Sequence, residues 1–422
     1  MKKICSLIIV LIITLLSFTV NAESFFEGGK NLYSHNVYMV NLDTDKVMYE
    51  LDSEELVYPA SLTKVMTCII AIEECPSLDE VVTIPSGIFD DIYAQGGANM
   101  SLKYGEEITV GDLVRATMIR SACDSASALA WYVSGSVEDF ARLMNSKAKE
   151  IGATNTHFVN AHGLHDDNHY TTAKDMYLIA KYALKNQAFC DIINEYSCTI
   201  PATNKSEERE LNTTIDIENP DSPLYYPYVT GVKSGFTDEA GRCLITKATK
   251  DGETYLLVTL GANRDRYYEG NMAFTDAVTL FEYYFAEYEI QTVTDSKTPL
   301  GEVNVNNGKS ESVQFGIDSS VEALVALDEK PILALDLPES IDAPIKSGDV
   351  IGNATISIGD ESFSRKLVAM SSVEKSNNQR LFASMNDGNM LATAMDVASI
   401  SLLCISVIIL GIFISKIVKR KK

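Results

Sequence analysis

Apolar and polar residues alternate through NVYMVNLDTDKVMYEL, residues 36–51, on either side of Asp43-Thr44-Asp45. That period of two around a turn predicts a β-hairpin. The period then changes. In PASLTKVMTCIIAIEE the apolar positions Leu62, Val65, Met66, Ile69 and Ile70 recur at helical spacing, so a helix should begin near Ser61. Residues 107–150 read as two helices around RSACDSASALA, and residues 171–195 as one amphipathic helix capped by Thr171 or Thr172. From about residue 228 alternation returns. YVTGVKSGFTDEAGRCLITKATKDGETYLLVTLGA predicts two or three strands with turns at Asp238-Glu239 and Asp251-Gly252, closed by a helix over roughly 272–287. Helices between flanking strands imply an α/β (α+β) domain with helices packed on an antiparallel sheet. Between residues 289 and 372 helical periodicity vanishes. Short β-branched runs such as EVNVNN, SVQFGI and RKLVAM, separated by Gly, Pro, Asn and Asp, predict a small all-β domain, and residues 373–395 a polar linker.

The two ends carry a different pattern. Two lysines, an uncharged apolar run and Val20-Asn21-Ala22 have the layout of a secretory signal peptide over residues 1–22. Near the other end, Val397 to Ser415 are nineteen residues without a charge, followed by five basic residues within KIVKRKK. At the helical rise such a run spans about 28 Å, close to the hydrocarbon thickness of a bilayer. A transmembrane helix over residues 396–416 with a basic cytoplasmic tail, residues 417–422, is expected under the positive-inside rule. The chain would then be a single-pass protein of the cell membrane with its body outside.

A formal net charge of −23 argues against nucleic acid as a partner, since phosphates would be repelled. It also denies the body a polybasic grip on anionic lipid, leaving anchorage to the C-terminal helix. Of eight cysteines, Cys5 and Cys404 fall in the two apolar ends, and Cys68, Cys75, Cys123, Cys190, Cys198 and Cys243 are scattered without a CxxC. A disulfide framework is not expected in a domain this large, although one pair, Cys190 with Cys198, could still bridge.

Three short motifs hold candidate chemistry. Ser61-Leu62-Thr63-Lys64 places a hydroxyl at a helix N-terminus and an amine one turn on, on the same face. An amine that loses its charge through burial near other cations can accept the serine proton. Lys233-Ser234-Gly235, followed by Phe236, lies in an expected edge strand, where a lysine and a hydroxyl can hold a carboxylate while glycine lets a substrate backbone approach. Ser121, in Ser121-Ala122-Cys123-Asp124, could relay a proton to a leaving group. Each motif alone is weak, and an N-cap serine with a solvated lysine is the bland reading of the first.

In this order the three resemble the active-site set of penicillin-binding proteins and serine β-lactamases. VYPASLTKVMT, RSACDSASALA, GATNTHFVNAHGL with HYTTAKDM, and VTGVKSGFTDEAGRCLI resemble the low-molecular-weight D-alanyl-D-alanine carboxypeptidases of peptidase family S11. The resemblance implies a DD-peptidase catalytic domain over residues 23–288. It implies Ser61 as acyl-forming nucleophile, Lys64 as general base and Ser121 as proton relay. Lys233 and Ser234 would hold the terminal carboxylate, with an oxyanion hole from the backbone N–H groups of Ser61 and Phe236. Peptidoglycan stem peptides would be the substrates and β-lactam antibiotics covalent inhibitors, with no metal or organic cofactor. One departure bears on the chemistry. Cys123 stands where the family usually has asparagine, and a thiol donates and accepts hydrogen bonds poorly.

Three rival readings stay open on sequence. Glu208-Arg209-Glu210-Leu211-Asn212 matches the ExELN string of class A β-lactamases, though about 21 residues before Lys233. His157, His162, His165 and His169 with Asp166 and Asp167 have spacings a zinc peptidase could use, though in a glycine-containing loop without HExxH. A non-catalytic wall-binding relic is the third, suggested only by Cys123.

Overall fold

The computed structural model describes residues 32–89, 92, 95–262 and 271–376. The expected signal peptide and transmembrane helix lie outside the described residues. Within the described residues no helix is long and apolar enough to cross a membrane. The chain divides at Tyr288/Glu289 into two compact units.

The first unit is built on a five-stranded antiparallel sheet in the order β2-β1-β9-β8-β7. Its strands are β1 (Asn36–Asn41), β2 (Val47–Leu51), β7 (Val229–Thr237), β8 (Gly241–Lys250) and β9 (Glu253–Ala262). The smaller β3 (Val81–Thr83) pairs with β4 (Glu107–Thr109), and β5 (Ser197–Ile200) with β6 (Arg209–Asn212). The helices are α1 (Thr63–Glu74), α2 (Val110–Ile119), α3 (Cys123–Ser134), α4 (Val137–Ile151), α5 (Ala173–Ala183), α6 (Gln187–Ile193) and α7 (Met272–Glu287).

β1 is buried at all six positions, because helices cover both faces of the sheet. Leu256, Val258 and Leu260 of β9 face a core shared with α1, α2, α3 and α5. By alternation Tyr255 faces the other way, where its ring meets Phe285 of α7 edge-on at 4.9 Å. α1 is apolar nearly all round, and Thr63 through Ala71 are buried without a break. β7 is the edge strand, so one row of its backbone groups is left unpaired by the sheet.

Two expectations are corrected by caps. Residues 107–150 hold three helices, because Gly135 takes a left-handed conformation and Ser136 restarts the chain by accepting from Asp139 N at 3.0 Å. Residues 171–195 hold two, because Asn186 caps α6 by accepting from Phe189 N at 3.2 Å. Thr172 is the cap of α5, accepting from Asp175 N. All six described cysteines are free thiols. Cys190 and Cys198 are not paired, and the Cys190 thiol donates to Leu184 O at 3.1 Å.

The second unit is all β. A six-stranded sheet runs β14-β16-β17-β12-β11-β15, and β10 (Tyr288–Thr294) pairs with β13 (Val321–Ala326). The sheet strands are β11 (Gly301–Asn306), β12 (Ser312–Ile317), β14 (Ile332–Asp336), β15 (Ser340–Asp342), β16 (Val350–Ile358) and β17 (Glu361–Ala369). Val373 and Lys375, expected in the linker, still bridge to Ile345 and Gly308.

Candidate active site

Ser61 sits in a single 3-10 turn, Ala60–Leu62, that feeds directly into α1. The turn depends on Ala60 at φ +46°, a left-handed conformation that a residue with a Cβ adopts only under constraint. The constraint is a hydrogen-bonded chain. Val159 N–H donates to His169 Nδ1 at 3.1 Å, which leaves the ring proton on Nε2. Nε2 then donates to Thr63 Oγ1 at 2.8 Å, and Thr63 donates onward to Ala60 O at 2.8 Å. Burial, more than any nearby charge, pushes the imidazole of His169 down to about 3, so it stays neutral and keeps this order at physiological pH.

Lys64, wholly buried, donates from Nζ to Ser61 Oγ at 2.9 Å. The same amine reaches His162 O at 2.5 Å and lies 3.5 Å from Cys123 Sγ. A lysine buried without partners would be costly; here a hydroxyl and a carbonyl take up its donors. Cys123 opens α3 and is tied by its own N–H to Ala98 O at 2.7 Å. Ser121, between α2 and α3, is held at φ +63°. Below it, Asp124 accepts from Met100 N and Leu102 N, so the 95–102 segment is stitched to the start of α3.

The opposite wall is β7. Gly235 lies so close to the nucleophile turn that a Cβ there would come within 2.9 Å of Ser61 N, which is why this strand position must be glycine. Ser234 Oγ is 2.8 Å from Thr214 Oγ1. Lys233 is fully buried behind the strand, and its amine donates to Ser234 O at 2.8 Å. Burial first, and the Lys64 charge second, hold that amine down to about 7.

These elements enclose a cavity of about 940 Å³ lined by Ser61, Ser121, Cys123, Ser234, Gly235 and Phe236 together with residues from five other segments. Every residue singled out by the three motifs is therefore either on the cavity wall or, for Lys64 and Lys233, directly behind it. Sequence reasoning missed Thr214, Asp216 and Arg242 on the wall and the His169–Thr63–Ala60 chain beneath it. Arg242 had a findable signal, since the hairpin register sets it opposite Phe236.

The other candidate motifs go elsewhere. Glu208 is exposed and not on the cavity wall, while Arg209 is engaged with the buried Glu106 at 2.7 Å. Among the described residues no group of three His, Cys, Asp or Glu is placed to hold a metal ion. The histidines are taken singly: His162 accepts from Leu164 N at 3.1 Å, His157 meets Asn168 O, and His165 packs against Tyr58 at 4.7 Å.

Comparison with known proteins identifies the family. Residues 24–264 match the family model described as D-alanyl-D-alanine carboxypeptidase, and residues 288–375 that of the penicillin-binding protein 5 C-terminal domain. D-alanyl-D-alanine carboxypeptidase DacF of Bacillus subtilis is 28% identical over 376 residues, 87% of this chain and 94% of its own. DacC of Escherichia coli is 31% identical over 360 residues, 80% of this chain and 83% of its own. The crystal structure of the Streptomyces K15 DD-transpeptidase superposes with a TM-score of 0.56 at 26% identity, covering 61% of this chain and 98% of that one. That of DacD from Francisella tularensis, at 24% identity, shares the fold with a TM-score of 0.60 over 82% of this chain and 95% of that one.

Proposed function

The chain belongs to the D-alanyl-D-alanine carboxypeptidase family, peptidase family S11, and from that membership we propose that Ser61 is its acyl-forming nucleophile and Lys64 the base that activates it. It is a serine-type D-alanyl-D-alanine carboxypeptidase, whose substrates are the stem peptides of peptidoglycan. The observation that carries the residue assignment is the 2.9 Å contact between Lys64 Nζ and Ser61 Oγ at the floor of the cavity. At that distance the amine can take the hydroxyl proton as Oγ attacks the carbonyl between the two D-alanines. The C–N bond breaks, the departing amine takes a proton through Ser121, and D-alanine leaves. Water, deprotonated by Lys64, then opens the ester and frees the shortened peptide. The backbone N–H groups of Ser61 and Phe236, on the two strands of chain that Gly235 lets approach, hold the oxyanion. The substrate backbone lies along the unpaired edge of β7. Lys233 acts from behind the strand through Ser234, whose backbone carbonyl accepts from its amine at 2.8 Å.

The test is purified protein incubated with a fluorescent penicillin and, separately, with a D-Ala-D-Ala pentapeptide. A stable covalent label and D-alanine release are expected. Sustained cephalosporin turnover without D-alanine release would instead favour a β-lactamase, and neither label nor release a binding protein. In the same assay Cys123→Asn should label at least as fast as wild type. The carboxamide can occupy the position 3.5 Å from Lys64 Nζ and hydrogen-bond better than a thiol does. A labelling rate that collapses would mean the sulfur itself is needed.

The same reading extends to the chain ends. Residues 1–22 direct export, and residues 396–416 anchor the protein in the cell membrane with residues 417–422 inside and the catalytic unit outside. The apolar run of nineteen residues and its basic flank support this. Deleting residues 396–422 should move the protein from the membrane to the soluble fraction; persistence in the membrane would refute it.

A further inference from the structure

Cys123 has no step in the reaction, yet its sulfur faces the amine on which that reaction depends. Lys64 Nζ touches Ser61 Oγ at 2.9 Å, His162 O at 2.5 Å and Cys123 Sγ at 3.5 Å. The first two contacts are to oxygens that a mild oxidant leaves alone. The third sets a nitrogen against an oxidisable sulfur, at contact distance. Cys68, Cys75, Cys190 and Cys243 differ, since the thiol of each points to a backbone carbonyl.

The pair is fixed from both sides. Lys64 lies wholly buried on α1, and Cys123 opens α3 with its own N–H tied to Ala98 O at 2.7 Å. A Cβ at Gly97 would come within 3.2 Å of the sulfur, so the 95–98 segment closes that side. Asp124 holds the same segment through Met100 N and Leu102 N. Cys123 is 2% exposed but lies on the wall of the 940 Å³ cavity, so a small oxidant reaches the sulfur through the opening that admits substrate. The described cysteines are all free thiols, and none is joined to Cys123. An amine in contact, and not a second thiol, is therefore the group placed to trap an oxidised sulfur.

We propose that Cys123 and Lys64 are an oxidation-sensitive pair, which a hydroperoxide closes into a covalent S–N bond, a sulfenamide, that switches the enzyme off. The sulfur attacks one peroxide oxygen and the O–O bond breaks. With hydrogen peroxide, water leaves and a sulfenic acid remains. Sulfenic acids condense with neighbouring nitrogen or sulfur nucleophiles. Here the Lys64 nitrogen attacks the sulfur, the S–O bond breaks, and the hydroxyl departs as water with a proton from the amine. In sum the sulfur gives two electrons to the peroxide, and two waters form. A nitrogen bonded to sulfur is a poor base, so Ser61 loses the group that activates it. Two equivalents of a small thiol reverse the bond, restoring the amine and Cys123 and leaving the reductant as its disulfide. The effect on activity rests on the reading of Lys64 as the base; formation of the bond does not.

The experiment treats the purified full chain with hydrogen peroxide, with or without dithiothreitol afterwards. One portion is digested with trypsin for mass spectrometry, and another is labelled with fluorescent penicillin. The expected product joins the peptide that carries Lys64 to the peptide that carries Cys123. It is lighter than the two together by two hydrogen atoms, and cleavage after Lys64 is lost. Labelling should slow in step with the cross-linked fraction, by about 100-fold or more at full conversion, the usual contribution of a general base. Dithiothreitol should restore it. Cys123→Ser, whatever its own rate, should label equally before and after peroxide, which separates the pair from methionine oxidation elsewhere. Oxygen retained on the sulfur or within the link, or a thiol that survives peroxide unchanged, overturns the proposal. So does an equal loss of labelling in Cys123→Ser. If untreated wild type takes no label, the Ser61 and Lys64 assignment fails, and the mass of the digest still decides whether the S–N bond forms.

Discussion

Ser61→Ala should carry no covalent penicillin label and should release D-alanine roughly 10⁴- to 10⁶-fold more slowly than wild type, the range seen when an activated serine is removed from a hydrolase. The size of the effect follows from how much of the site converges on one atom. Lys64 Nζ stands 2.9 Å from Oγ, Gly235 gives way so that β7 can lie against Ser61 N, and the turn itself is held through Thr63 and His169. Without Oγ all of these groups remain but none can form an ester. The variant also separates the rival chemistries. A zinc peptidase would survive the substitution and lose activity to a chelator, whereas the serine reading requires the reverse. A second nucleophile beside the base is Cys123, whose sulfur is 3.5 Å from Lys64 Nζ. Label appearing on Ser61→Ala but not on the double variant with Cys123→Ala would transfer the nucleophilic role to the thiol and overturn the assignment.

Gly163→Ala is expected to produce the largest loss of stability of any single methyl added near the site. Gly163 has φ +79°, and a Cβ built there would lie 1.8 Å from Ala60 O and 2.8 Å from Thr63 Oγ1. A left-handed alanine costs about 1–2 kcal/mol, and forcing a methyl into filled space a further 1–3 kcal/mol or so. Together these amount to roughly 2–5 kcal/mol, which for a unit of this size lowers Tm by about 5–15 °C. The strain falls on the turn that carries Ser61 and, through the neighbouring His162 carbonyl, on the seat of Lys64. Penicillin labelling should therefore slow as well. The measurement is a melting curve paired with a labelling time course. A Tm within about 1 °C of wild type and an unchanged rate would show that the loop yields freely and that the Ala60 turn does not depend on it.

How much of this was legible beforehand differs by kind of interaction. α7 and the three strands β7, β8 and β9 could be placed closely, because long alternating or helical runs end there in strong turn residues such as Asp251-Gly252. The breaks at Gly135-Ser136 and at Asn186 were passed over, since apolar periodicity continues across them and only the cap chemistry marks them. In the site, Ser61 with Lys64 was readable because both sit within one helical turn, and Lys233-Ser234-Gly235 because it is one strand. What joins these segments was not readable. The Lys64 contact with the His162 carbonyl spans 98 positions and uses a backbone atom, which has no residue identity to recognise. The histidine-rich stretch suggested metal binding because its spacing was visible and its burial was not. His162 and His169 are each engaged singly in the interior, and burial keeps both neutral.

The placing of the substrate along β7 bears on how such an enzyme can escape an antibiotic. An extended inhibitor laid on that margin is gripped in large part by peptide N–H and C=O groups, and no codon change deletes those. Gly235 admits no larger residue without disturbing the serine turn. Selection for drug evasion would therefore be channelled towards side chains around the opening, such as Thr214, Asp216 and Arg242, where a mutation alters fit without dismantling the scaffold. Those are also the positions that admit the natural peptide, so each gain in evasion would be bought with some loss of wall processing.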